Sequence, residues 1–197
     1  MLGCPRLEPS GWFSGAQEVL SPNFDLRPDD SEIELVVVHA ISLPPGEFGG
    51  GHVDRLFQNR LDPLMHPYFQ SIGGLKVSAH LLIERAGVLK QFVSLDNRAW
   101  HCGVSEFAGR AACNDFSIGI ELEGCDEQPF TPEQYEVLTN ILAELCAHYQ
   151  ALNPAHIVGH CDIAPGRKTD PGPLFEWRMM RDLLHEKLHL SNCGGRQ

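Results

Sequence analysis

No stretch of the chain approaches the roughly 18 uninterrupted apolar residues that a membrane-spanning helix needs. The longest pure apolar run, Leu35 to Val38, stops at His39. A spanning helix is excluded, and no membrane partner is expected. Positive charge is also scarce: 15 Lys and Arg stand against 26 Asp and Glu, a formal net charge of −11 at pH 7. Such a chain lacks the basic field that gains counterion-release energy from a phosphate backbone, so nucleic acid is not an expected partner. Repeats, low-complexity tracts and charged tails are missing, and no shift in composition marks a linker. The Cys-x-x-Cys spacing of zinc and redox sites is absent too. The seven cysteines (4, 102, 113, 125, 146, 161 and 193) are odd in number and scattered, which fits reduced thiols. Leu2-Gly3-Cys4 has the outline of a lipobox without a basic and an apolar region ahead of it, so a cytoplasmic protein is expected. Nothing signals an obligate dimer, and a monomer is expected.

What is present is a globular composition, 43% hydrophobic and 21% charged over 197 residues, enough for one well-buried domain spanning 1–197. After an irregular first thirty residues, Ile33 to His39 reads as an interior strand, β-branched and buried on both faces, that ends at His39 beside the loop Ser42 to Gly51. Val53 to Leu61 has short helical periodicity, and Pro63 and Pro67 stop it. Val77 to Ile83 and Val88 to Val93 read as a hairpin around Glu84-Arg85-Ala86-Gly87. Ser117 to Glu123 alternates, with Ile118, Ile120 and Leu122 on one face and Ser117, Gly119, Glu121 and Glu123 on a polar one. Thr131-Pro132-Glu133-Gln134 is a capping box ahead of a long helix whose stripe runs from Tyr135 to Tyr149. Ile157 to His160 is a further short strand, and a last helix is expected from about Leu174 to Leu190. The fold class is therefore α/β (α+β): a single domain with a central mixed β-sheet flanked by helices.

Of ten histidines, His39 and His160 stand out because each ends a strand and opens a Gly/Pro-rich loop, where sites are usually built. Asp170 follows His160 by ten residues in a loop stiffened by Pro165, Pro171 and Pro173. Two imidazoles and a carboxylate make a three-ligand zinc site with one open position. Spacing alone leaves equally open that Asp170 caps a helix starting after Pro171. Glu121, beside Gly119 whose missing side chain lets another group approach, is the best candidate base; the alternative is an exposed strand Glu paired with a surface cation. Lys168 could stabilise an oxyanion, or could belong, with Arg167, to a solvated loop. A competing pattern, His185-Glu186-Lys187-Leu188-His189, matches His-Glu-x-x-His on the last helix. Only eight residues follow His189, and Asn192 and Gly195 stand where the extended motif needs Gly and His, so it reads as a chance match.

The segments Val38 to Gly50, Val77 to Ile83, Arg98 to Gly103, Cys113 to Gly124 and Gly159 to Gly172 resemble, in order, the zinc N-acetylmuramoyl-L-alanine amidases. Within them they resemble the AmpD-type cytoplasmic 1,6-anhydro-N-acetylmuramyl-L-alanine amidases of cell-wall recycling. The resemblance covers about Pro22 to Trp177. It implies that His39, His160 and Asp170 hold Zn²⁺, that Glu121 is the general base and that Lys168 steadies the oxyanion. It further implies an anhydro-muropeptide substrate, cut between the lactyl group of anhydro-muramic acid and L-Ala, and in Gram-negative bacteria an indirect restraint on inducible β-lactamase. His80 and His101 are assigned to no metal. His101 and Trp100 are expected to shape the sugar end of the pocket, and Arg110 to meet a substrate carboxylate. One departure is Ala40, where the family commonly has Asn. Three other classes compete: a muropeptide-binding module without catalysis, against which the full metal set counts; a protease on the terminal helix; and a structural zinc protein, which favours four protein ligands.

Overall fold

The computed structural model describes residues 5–194, with side chains described for residues 5–190. Cys4 of the lipobox outline and the side chain of Cys193 lie outside that range. The other five cysteines are free.

The strands in chain order are β1 (Gln17–Glu18), β2 (Phe24–Leu26), β3 (Leu35–Ile41), β4 (Leu81–Ile83), β5 (Leu89–Gln91), β6 (Asn97–Ala99), β7 (Glu106–Phe107), β8 (Arg110–Ala111), β9 (Ser117–Glu123) and β10 (Ile157–Gly159). Helices α1 (His52–Phe57), α2 (Pro67–Ile72), α3 (Pro132–His148), α4 (His160–Ile163) and α5 (Trp177–Gly194) connect and cover them. Six strands form the central sheet in the order β1-β5-β4-β9-β3-β10, and β2/β6 and β7/β8 make two small antiparallel pairs. β4 and β5 are the expected antiparallel hairpin, while β4, β9, β3 and β10 run parallel, so the sheet is mixed. The architecture is a single domain with this sheet flanked by helices.

Alternation along β3 and β9 splits the interior into layers. Val36, Val38, Ile118, Ile120 and Leu122 point to the side where Leu138, Leu142 and Leu145 of α3 and Met180 and Leu184 of α5 complete the main core. α3 starts where its sequence says it should: Thr131 accepts from the Gln134 N–H while Gln134 accepts from the Thr131 N–H, a reciprocal cap of about 1 kcal/mol. Leu35 and Val37 point the other way, onto Cys102, Cys113, Phe116 and Ile163.

The polar face expected for β9 is there but is not solvated: all seven residues of the strand are buried. β3 runs two residues past His39, because pairing with β9 continues to Ile41 opposite Glu123. α1 ends at Phe57 rather than near Leu61, since Asn59 turns into the left-handed region (φ 59°). The last helix starts at Trp177 instead of Leu174.

The irregular N-terminal chain is held by Arg27. Its guanidinium donates to the carbonyls of Leu95, Asn114, Asp115 and Ser117 at 2.9 to 3.2 Å and lies 3.2 Å from His80 Nε2. Burial, the largest influence, lowers its pKa to about 10, so it stays charged at neutral pH. Arg27→Met deletes donors from acceptors that water reaches poorly, each left unpaired at about 1–3 kcal/mol. The expected loss is about 3–5 kcal/mol, a fall in Tm of roughly 6–20 °C for a domain of this size, read by calorimetry.

Candidate active site

Parallel register is what gathers the site. His39 on β3 lies opposite Glu121 on β9, and Val38 lies opposite Gly159 of β10, the residue before His160. Three neighbouring strands thus deliver His39, Glu121 and His160 to one level at their C-terminal ends, where open α/β sheets place ligands. The loop after His160 returns Asp170: the Cys161 N–H donates to the Asp170 carbonyl at 3.0 Å. Asp170 caps no helix, since α5 begins only at Trp177.

His39 Nδ1, His160 Nδ1 and Asp170 Oδ2 form a triangle with sides of 2.9, 3.0 and 3.1 Å. His160 Nε2 lies 3.0 Å from the Cys102 carbonyl, an acceptor only, so this nitrogen carries the proton and Nδ1 presents a lone pair. A carboxylate oxygen and imidazole lone pairs converging on one point are the donor set of a metal ion, and these three residues could hold one. His39, His101 and Cys102 also lie close enough together. Burial, however, pushes the Cys102 thiol well above its usual pKa, which leaves it a thiol and not a ligating thiolate.

The charges fit the same reading. Burial, the largest influence, lowers the His39 pKa to about 4, while the neighbouring Asp170 carboxylate pulls it upward. At Asp170 burial pushes upward, but the two imidazoles beside it, His160 and His39, outweigh that and hold the carboxyl below its ordinary range. Both stay in their metal-binding forms at neutral pH.

Glu121 is 8% exposed, and its Oε2 has no hydrogen-bond partner. Burial, then the negative charge of Asp170, lifts its pKa well above the carboxylate norm, with Lys168 pulling the other way. It is not the surface-paired glutamate that its strand pattern also allowed. A cleft of about 510 Å³ opens over the triad, lined by Glu121, Lys168, Ala40 and Trp100 among others. Lys168 is exposed at its rim. Trp100 is fixed by its indole N–H, which donates at 3.1 Å to Asp25 Oδ1, a carboxylate that Arg98 grips with two nitrogens.

Arg110 is not brought to the site, which corrects its expected role. It pairs with Glu34 on the β7/β8 side, stacks 3.9 Å from the Phe116 ring centroid, and is absent from the cleft lining. His101 lines the cleft, but its ring nitrogens turn inward to His39 and Ser117. His80 is a buried core residue whose Nδ1 accepts from the Gly119 N–H. Arg167 is exposed but anchored, donating at 2.6 Å to the carbonyls of Cys102 and Val104. No sequence pattern signalled the roles of Arg167, Asp25 or Ser117. On α5, His185 and His189 meet at 2.8 Å between Nε2 atoms on an exposed face, and Lys187 of that motif bonds Glu136 of α3.

Known proteins resemble the chain in sequence and in fold. The chain is 52% identical over 177 residues to 1,6-anhydro-N-acetylmuramyl-L-alanine amidase AmpD of Escherichia coli (strain K12), covering 90% of this chain and 96% of that protein. To AmpD of Haemophilus influenzae it is 53% identical over 167 residues, 85% of this chain and 91% of that one. A crystal structure of a selenomethionine AmpD derivative superposes with a TM-score of 0.88 at 53% identity, covering 90% of this chain and 99% of the other. AmiD from E. coli, in complex with anhydro-N-acetylmuramic acid-L-Ala-D-gamma-Glu-L-Lys, superposes at 0.58 and 28% identity over 80% of this chain and 60% of that one. Residues 29–173 match the family described as N-acetylmuramoyl-L-alanine amidase, a span that holds the whole triad and Glu121. Fold and sequence therefore coincide, and the chain belongs to the N-acetylmuramoyl-L-alanine amidase family.

Proposed function

We propose that the protein is a zinc-dependent amidase that hydrolyses the bond between (1,6-anhydro)-N-acetylmuramic acid and L-Ala of the stem peptide in muropeptides. Its place is then cytoplasmic cell-wall recycling, as a monomer. The observation that carries this reading is the triangle of His39, His160 and Asp170 at the floor of a cleft into which the unpartnered carboxylate of Glu121 also faces. Among the described residues, no helix is long and apolar enough to cross a membrane.

His39, His160 and Asp170 hold the ion, and no fourth protein ligand is needed. When bound, zinc supplies the Lewis acidity that polarises an amide carbonyl and makes a water acidic near neutral pH. Glu121 takes the proton of the attacking water and later passes it to the departing L-Ala nitrogen. A carboxyl with a raised pKa suits both steps, since one group must be base and then acid. Lys168, at the rim, faces the negative charge that develops on the carbonyl oxygen. Trp100 gives the cleft an aromatic wall, held in place from Asp25, against which a sugar ring can lie.

Mass spectrometry of products from an anhydro-muropeptide with an L-Ala-headed tripeptide tests the activity. Free anhydro-sugar and free tripeptide are expected from the zinc-replete protein. Unchanged substrate with zinc bound would instead make the protein a muropeptide-binding module. The same assay disposes of the terminal-helix motif: His185→Ala is expected to leave turnover and zinc stoichiometry within about twofold of the parent, because the pair sits on an exposed helix face away from the cleft.

A further inference from the structure

Behind His39 runs a hydrogen-bond chain whose direction is set by its far end. Ser117 Oγ lies 2.5 Å from the Cys113 carbonyl, which can only accept, so the hydroxyl donates there. The Ser117 oxygen is then an acceptor for His101 Nε2, 3.3 Å away, and that nitrogen carries the proton. A neutral imidazole has one N–H, so His101 Nδ1 is left as an acceptor, and it lies 3.0 Å from His39 Nε2. The buried Cys102 thiol, 3.1 Å from the same Nδ1, is a second and weaker donor that shares this one lone pair. His39 must therefore carry its proton on Nε2, which leaves Nδ1, the atom in the triangle with His160 and Asp170, with a free lone pair.

The room for this chain comes from Gly119, one residue pair along from Glu121 on the same strand face. A Cβ there would stand 2.4 Å from His101 Nδ1 and 2.5 Å from its Cγ, closer than any tolerated contact. The missing side chain thus admits the imidazole of His101 directly beneath His39.

We propose that His101 is a positioning residue which, through Ser117 and the Cys113 carbonyl, fixes the tautomer and ring orientation of His39 so that Nδ1 faces the metal. It corresponds to the outer partners that orient ligating histidines generally, with an imidazole in place of the usual carboxylate or carbonyl. The inference rests on reading His39 as a zinc ligand, but the tautomer it assigns is read by a measurement that needs no zinc.

The test uses the full chain as parent and as His101→Ala, His101→Asn and Ser117→Ala. Long-range ¹H–¹⁵N spectra of the zinc-free proteins report which His39 nitrogen is protonated, and competition with a chromophoric chelator gives the zinc Kd. The parent is expected to show His39 protonated at Nε2 only. His101→Ala should weaken zinc binding by about 10–100-fold and mix the His39 tautomers. His101→Asn should recover most of the loss, because its amide oxygen can take the His39 proton, a rescue that mere packing would not give. Ser117→Ala should shift both readouts in the direction of His101→Ala. Should His101→Ala fail to fold, the Asn and Ser117 variants decide alone. A parent His39 protonated at Nδ1, or variants with the parent's tautomer and a Kd within twofold, would overturn the proposal. A parent that binds no zinc would overturn the metal reading instead, while the His39 spectrum still decides the relay.

Discussion

Glu121→Gln is expected to lower kcat by about 10²–10⁴-fold, the range a positioned general base contributes, while zinc binding stays within a few-fold of the parent. The carboxylate touches neither His39 nor His160 nor Asp170 by any hydrogen bond, and its Oε2 is unpartnered, so the amide can occupy its place without disturbing the triangle. A second consequence separates this outcome from simple misfolding. Burial and Asp170 place the folded pKa of Glu121 well above its unfolded value. Its contribution to stability is thus fully present below the unfolded pKa and is lost as pH rises through the folded one. At neutral pH the buried carboxylate costs the zinc-free fold free energy, and the neutral amide does not incur that cost. The chelator-treated variant should therefore melt at a higher temperature than the parent at neutral pH, with the difference shrinking on acidification. A variant that is both slower and less stable at pH 7 would mean that Glu121 is a structural residue.

The sheet was legible where periodicity is strong. Leu35 to Val38, continuous and largely β-branched, reads as an interior strand, the alternation of Ser117 to Glu123 gives β9 its bounds, and Thr131 with Gln134 announces the start of α3. His39 and His160 were visible because each follows such a run. What stayed hidden has a common physical origin: it depends on which strands become neighbours. The polar face of β9 also allowed an exposed Glu121, because the segments that cover the strand, those of His80 and His101, reach it only through tertiary folding. The two-residue strands β1, β7 and β8 carry too few side chains for any period to register. Arg110 was misplaced for the same reason, since a cation in a loop is compatible with any partner until the fold supplies Glu34 and Phe116. Gly119 shows the middle case: its lack of a side chain suggested that something approaches, and the fold identifies the His101 ring.

Asp170→Asn is expected to weaken zinc binding by roughly 10²-fold or more and to abolish turnover at submicromolar free zinc. The substitution keeps the side-chain outline and removes the one formal negative charge in the triangle, so its effect is electrostatic rather than steric. Structural zinc with four protein ligands binds at about 10–16 kcal/mol, roughly 3 kcal/mol for each, so weakening one of the three ligands here is expected to cost about two decades in Kd. Proton competition cannot mask the result at neutral pH, because His39 has a pKa of about 4 and Asp170 lies below its ordinary range. Stability follows by linkage. With free zinc well above both dissociation constants, a roughly 100-fold weaker Kd removes about 2.7 kcal/mol of ligand stabilisation. The rise in Tm on adding zinc should then be smaller than the parent's by roughly 5–11 °C. Without zinc the sign differs with pH: a carboxyl whose folded pKa is depressed contributes stability above its unfolded pKa that is lost as pH falls through the folded value. The parent should therefore lose stability on acidification that the Asn variant never had, and the two zinc-free melting curves should converge at low pH. Undiminished zinc affinity in Asp170→Asn, measured by chelator competition, would show that the third ligand lies elsewhere.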